Sequence, residues 1–226
     1  MFNLQEISLN ICVLTVIYTL ISHYPKLKSY TADIKFSVYR SLMCIAFSSM
    51  GINVLINHIT TGISHPFSFK HDDMMEIFQL FAAYLILDLV QMFAYKSTRY
   101  DLYVHHILCI GGLIISSITN RFGYIQSILL IAELLSVVSG IDNIAMHEND
   151  MNLSYYCKKI RKSIIKNIRY PLWIILLLYT IRFTNKTPNL LWYYGIGSSA
   201  IMMVLDKFWE AKCDKVIDKY FMTSTI

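Results

Sequence analysis

Two adjacent imidazoles open an apolar stretch in Tyr103-Val104-His105-His106-Ile107-Leu108-Cys109. Histidine takes and returns a proton near neutral pH more readily than any other unperturbed side chain. Within a membrane helix an ionisable group costs about 2.5–3.5 kcal/mol on insertion scales, so it marks a pathway, a partner or a reaction. A neutral imidazole there can deprotonate an amine or hydroxyl, or be transiently acylated. A carboxylate beside the ring would fix its tautomer and stabilise the imidazolium that forms. Asp88 and Glu133 lie in the flanking apolar stretches. His105, His106 and Asp88 are thus the candidate catalytic residues, with His105 as the base and Asp88 as its orienting carboxylate.

The elements that must position these groups are membrane helices. The hydrophobic fraction is 55%, only 15% of the 226 residues are charged, and mean hydropathy is +0.47. A soluble domain carries nearer a quarter charged residues, and a spanning helix needs about 20 mostly apolar residues. Seven candidates follow: Ile7–Tyr24, Val38–Asn57, Met74–Tyr95, Val104–Thr119, Tyr124–Met146, Tyr170–Arg182 and Leu190–Trp209. The chain has no linker-like tract and no repeat at a solenoid period. The fold class expected is therefore all-α, a polytopic transmembrane bundle of seven spans. The first segment lacks Lys or Arg before Ser8, and His23, Tyr24 and Pro25 follow it in place of a small-residue cleavage site. It is read as a retained span.

Charge sets the orientation. Lys26, Lys28, Lys35 and Arg40, then Lys96 and Arg99, then the run from Lys158 to Arg169, then Lys207, Lys212, Lys215 and Lys219 all fall in alternate loops. The other side holds only Lys70, Arg121, Arg182 and Lys186. The positive-inside rule places the first set in the cytosol and the N-terminus on the lumenal side. The net charge of +5 is then a membrane-facing pattern, with lipid headgroups as partners and no nucleic acid implied.

Orientation fixes depth. Asp88 sits about 10 Å above the cytosolic end of the third span at 1.5 Å per residue. The histidine pair lies about one turn into the fourth, Glu133 near the middle of the fifth and Asp142 near its inner end. Helical phase gives three polar stripes: Tyr84, Asp88, Gln91 and Tyr95; His105, Cys109, Gly112 and Ser116; Glu133, Ser136, Gly140, Asn143 and His147. Small and polar residues together allow membrane helices to approach closely and to hydrogen-bond. Glu133, Ser136, Gln91, Tyr84 and Asn143 are therefore the candidate substrate-binding residues. His106 points roughly 100° away from His105. Each of these groups also has a structural reading: histidines tolerated at an interface, carboxylate–histidine pairs as interhelical glue, glycines and serines as packing contacts.

The remaining motifs carry less. Cys12, Cys44, Cys109, Cys157 and Cys213 are scattered without a C-x-x-C pair, so neither a disulfide framework nor a zinc site is indicated, and no metal is assigned. Of two sequons, Asn152-Leu-Ser154 and Asn185-Lys-Thr187, only the second falls on the lumenal side, and Pro188 makes it a poor acceptor.

The third to fifth segments resemble the TLC-domain family of multispanning endomembrane proteins. Tyr84-Leu-Ile-Leu-Asp88, Asp101-Leu-Tyr-Val-His105-His106, Arg121-Phe-Gly123, Leu130-Ile-Ala-Glu133-Leu-Leu-Ser136 and Lys207-Phe-Trp209 match in the family's order. The family includes ceramide synthases and translocating-chain-associating membrane proteins. The resemblance implies a six-helix domain over about 35–212, preceded by a leading span and loop at 1–34 and followed by a cytosolic tail at 213–226. It also implies an endomembrane location such as the endoplasmic reticulum. Ceramide synthases place a Thr where this chain has Cys109 and carry a His-Asp-x-Ser-Asp cluster that is missing here. The chain is closer to the other branch of the family.

Two function classes follow. One is a lipid N- or O-acyltransferase that uses acyl-coenzyme A as co-substrate and needs no cofactor. The other is a non-enzymatic lipid-binding, membrane-organising or trafficking protein using the same cavity. A proton-coupled transporter fits less well, because no span is interrupted by Gly or Pro in the manner of a discontinuous transport helix. The charge pattern gives the first testable outcome. In sealed microsomes, a tag near Lys159 should be cut by added protease, and protection of that tag would overturn the depth assigned to the whole polar cluster.

Overall fold

A computed structural model describes residues 3–61, 74–120, 123–182 and 189–224. Arg121 and the Asn185 sequon lie outside the described residues. Among the described residues there are nine α-helices: α1 (Leu4–Ser22), α2 (Ala32–Thr61), α3 (Met75–Ala94), α4 (Tyr100–Thr119), α5 (Gly123–Leu129), α6 (Leu134–His147), α7 (Met151–Ile164), α8 (Tyr170–Arg182) and α9 (Asn189–Ser224). No strand occurs among the described residues.

Among the described residues, six helical runs are long and apolar enough to cross a membrane: α1, α2, α3, α4, the run Ile125–His147 and the run Met151–Arg182. The seventh expected segment, Leu190–Trp209, forms the first part of α9. Its hydropathy is diluted by Trp192, Tyr193, Tyr194, Ser198 and Ser199. The molecule is an all-α polytopic bundle. Its surface is the reverse of a water-soluble protein's. Leu9, Leu20, Ile59, Phe93, Ile118 and Leu178 point outward, while Asp88, Glu133, Asp142, Arg169 and Asp206 are buried. Lipid is the solvent that such a surface suits, and polar groups inside it must find partners within the protein.

Helices rise and fall in alternation, which brings the C-terminal ends of α1 and α3 together. There Tyr18 and Tyr95 share a hydrogen bond of 2.9 Å between their hydroxyls. Leu14, Phe36, Tyr39, Phe47, Phe78 and Tyr84 form the main core between α1, α2 and α3. Trp173, Leu176, Leu191 and Met202 form a second cluster between α8 and α9. The leading span packs on α3 and α2 as part of the same bundle. α9 passes position 212 without a break. Beyond it Cys213 is fully buried, and Tyr220 stacks on Tyr155 of α7 with ring centroids 4.3 Å apart.

Two irregular turns depart from the uninterrupted spans expected. The fifth span tightens into a 3-10 turn at Leu130–Glu133, and a π-helical turn at Ile165–Arg169 joins α7 to α8. The second has a sequence cause. Pro171 has no N–H to offer and crowds the carbonyl one turn back, and the helix widens just before it, with Tyr170 N–H bonding Ile165 O. The basic segment 149–169 is accordingly no loop. It is helix α7, capped by the Asp150 side chain on Leu153 N–H, and a tag that must not break it belongs at the exposed turn around Asn149.

α2 makes its most extensive contact with α6, and Gly140 allows it. A Cβ at that position would lie 1.7 Å from Ser41 Oγ and 3.0 Å from the Ser37 carbonyl. Around Gly197, by contrast, a Cβ meets nothing within 4 Å. Gly140→Ala should cost about 1–3 kcal/mol by overpacking, whereas Gly197→Ala should be neutral or gain up to about 1 kcal/mol from helix propensity. Melting temperatures of the two variants in detergent check this, and equal shifts would contradict the close approach.

Candidate functional site

The basic ends of α2, α3, α4, α6 and α7 enclose a polar cavity of about 60 Å³, bordered by Arg40, Asp88, His105, His106, Glu133 and Arg161 among others. An apolar pocket of about 100 Å³ lies beside it, walled by Phe81, Leu108, Leu129, Trp173 and Met202. His105 and Glu133 border both. Asp88, His105 and Glu133 therefore share one space, and the three polar stripes converge.

The pairing within that space differs from the expected one. Asp88 is fully buried and holds His106, not His105: Nε2 lies 2.6 Å from Oδ2. Its other oxygen accepts from Arg40, at 2.5 Å from Nη2 and 3.2 Å from Nε. His106 Nδ1 donates to the Leu102 carbonyl at 2.6 Å. A carbonyl and an Arg-bound carboxylate thus engage both ring nitrogens of His106. With both nitrogens engaged, the geometry favours His105 over His106 as the candidate base. Helical phase is the reason for the exchange. One residue turns the side chain by about 100°, which sends His106 to α3 and His105 toward the 3-10 turn between α5 and α6.

Glu133 faces His105, with Oε1 3.5 Å from Nε2. Its second oxygen is fixed separately, by Cys44 Sγ at 3.5 Å and Ser136 Oγ at 3.3 Å. Glu133 was expected to bind substrate. Its position makes it the carboxylate that orients His105, the role assigned to Asp88. Cys109, one turn along α4, brings its sulfur to 3.8 Å from both ring nitrogens of His105. The imidazole edge also meets Trp209, with centroids 6.0 Å apart.

The other expected residues are scattered around this centre. Tyr84 is buried against Cys44, 3.4 Å from its hydroxyl. Asn143 donates to Ser37 Oγ at 2.6 Å, and Ser136 supports Glu133. All three border the polar cavity. Gln91 borders neither cavity. His147 lies at the end of α6, its ring against Tyr30.

Several residues that matter were not legible. Arg169 belongs to the basic run read as a topology determinant, yet it is 2% exposed. The π turn directs it inward, where Nε donates to Asp206 at 2.7 Å and Nη1 to the Ala132 carbonyl of the 3-10 turn at 2.9 Å. Its guanidinium lies over Trp173 and Trp209, 5.5 and 5.1 Å from the ring centroids. Trp173 Nε1 donates to the other oxygen of Asp206 at 2.7 Å. Trp209 Nε1 donates to Asp101 at 2.6 Å and so ties α9 to the start of α4. Pro171 was the available signal: a proline just after a basic residue at the mouth of a span marks a distorted turn. Arg40 could have been found as the one cation of the first basic group that lies within a span.

Compared with family models, with curated proteins and with solved structures, the chain matches none.

The Arg169–Asp206 pair generates a stability test. Breaking a buried ion pair from one side strands a charge and costs about 3–5 kcal/mol, whereas replacing both partners by apolar residues is often near neutral. Arg169→Met should therefore be strongly destabilising in a thermal melt, and Arg169→Met with Asp206→Leu should recover a large part of the loss. Additive losses in this double-mutant cycle would show that the two residues are not coupled.

Proposed function

We propose that this multi-pass membrane protein acts on lipids, moving an acyl group from acyl-coenzyme A to a lipid amine or hydroxyl, with His105 as the base. The single observation that carries the reading is the position of His105 and Glu133 on the boundary between a polar cavity and an apolar pocket. Acyl transfer needs that boundary, because the thioester and the attacking group are polar while both chains are not. Arg99 and Arg161 border the polar side and bring positive charge toward the phosphates of a coenzyme A donor. The apolar side suits the acyl chain. Glu133 Oε1 holds the ring in one tautomer and stabilises the imidazolium formed when the acceptor loses its proton. His106 and Asp88 serve the site by position: with Arg40 they lock α4 against α3 and α2.

The TLC-domain resemblance supports the same reading, with an endomembrane location such as the endoplasmic reticulum. The second reading is lipid binding without chemistry, as a membrane-organising or trafficking protein. One observation favours it: Asp88 and His106 are saturated by their partners, as interhelical glue would be.

Magnitudes separate the two. Loss of a general base forfeits about 10²–10⁴-fold in rate, while a polar contact in a membrane bundle is worth only about 0.6 kcal/mol on average. His105→Ala and Glu133→Gln should each abolish the lipid change produced by wild type in expressing membranes, with insertion and expression nearly intact. Asp88→Asn should act mainly on stability, because it leaves Arg40 and His106 facing each other without their anion. If wild type consumes no labelled acyl-coenzyme A, or if His105→Ala keeps the wild-type lipid profile, the enzyme reading gives way to the binding one.

A further inference from the structure

Cys109 stands outside the base-only mechanism just described, yet it is the nucleophilic side chain nearest to His105. The two residues are one helical turn apart on α4, so their side chains share a face. The sulfur lies 3.8 Å from each ring nitrogen and borders the apolar pocket together with His105 and Glu133. Cys109 is half-buried, unlike Cys44, Cys157 and Cys213, which are fully enclosed. Cys12 is exposed on α1 and borders neither cavity. Nucleophile, base and carboxylate thus lie side by side, the set of groups that activates thiols and hydroxyls in covalent catalysis once the sulfur faces one ring nitrogen. The carboxylate is itself held by Cys44 and Ser136, so the chain of contacts is fixed at its far end.

Resting on the acyl-transfer reading, we propose that Cys109 carries the acyl group as a thioester between donor and acceptor. In the first half-reaction His105 takes the thiol proton, and the Cys109 sulfur attacks the carbonyl carbon of the acyl-coenzyme A thioester. The new C–S bond forms as the bond to coenzyme A breaks, and the departing thiolate takes the proton back from His105. In the second half-reaction the lipid amine or hydroxyl gives its proton to His105 and attacks the Cys109 thioester. The amide or ester forms, and the Cys109 thiolate is reprotonated. One thioester is exchanged for another and then consumed, with no oxidant or reductant. The apolar pocket beside Cys109 would keep the acyl chain in place while coenzyme A leaves, and would keep water from the thioester.

Full-length protein in nanodiscs, given radiolabelled palmitoyl-coenzyme A without acceptor, should gain one acyl group that neutral hydroxylamine releases. Peptide mapping should place it on the segment containing Cys109, and Cys12→Ser should keep the label. Added acceptor lipid should discharge it into product. Cys109→Ala should lose both the label and more than about 10²-fold of product formation, and His105→Ala should slow label formation by a similar factor. The wild-type adduct map needs no variant, so a poorly folding Cys109→Ala would not blunt the test. If Cys109→Ala makes product at the wild-type rate, the thioester is overturned and direct transfer with His105 as base stands. If wild type neither gains label nor consumes palmitoyl-coenzyme A with any acceptor, the thioester and the acyl-transfer reading both fall.

Discussion

Asp88 cannot stand alone in hydrocarbon, and much of the bundle follows from how its charge is met. A carboxylate with no exposed surface must gather donors from whatever packs around it. The donors come from two other helices, Arg40 on α2 and His106 on α4. Three spans are therefore tied at one depth by a single anion. Since α4 cannot turn without withdrawing His106 from Asp88, the direction of every other residue on α4 is set, including His105 and Cys109. A merely apolar interface between these helices would permit sliding and rotation, whereas this ion cluster does not.

The same logic recurs on the other side of the bundle. Asp206 on α9 gathers Arg169 and Trp173, and Arg169 reaches on to the 3-10 turn. Asp142 on α6 takes Ser154, Lys158 and Arg161 from α7. Asp101 takes Trp209 and Arg99. Each carboxylate buried at the basic end thus joins at least two elements, and the distorted turns sit where backbone and side chain both take part. The π turn turns Arg169 from lipid toward the interior; the 3-10 turn presents Ala132 to it. Local irregularity here serves the pairing of charges that lipid would not solvate.

How much of this was legible follows from what each signal measures. Hydropathy reports solvent, so α1, α3 and α4 were placed within four residues of their observed ends, while α2 extends six residues before and four beyond the segment read for it. It falls off along α9, because Trp192, Tyr194, Ser198 and Ser199 lower the average although none of the four is exposed. Periodicity placed Asp88, His105 and Glu133 on inward faces, and their convergence followed. It could not pair them, because adjacent residues differ by about 100° in direction and the choice between His105 and His106 depends on how α4 is rotated. Charge counting treated Lys158 to Arg169 as one group, although Arg169 is buried and Lys159 is exposed. Counting cannot see a helix widened by Pro171.

The division of labour between the two histidines then follows from hydrogen-bond capacity alone. His106 is bounded by partners at both nitrogens, so it contributes position. His105 meets one carboxylate oxygen and one thiol, a weak donor and weak acceptor, so a lone pair remains on its ring. Only the second ring can change its proton count without breaking a link between helices. Glu133 differs from Asp88 in the same way: its partners beside His105 are a thiol and a hydroxyl, not a guanidinium. In this bundle Arg40–Asp88–His106 is the rigid frame, and His105 beside it is the ring whose contacts do not tie one span to the next by an ion cluster.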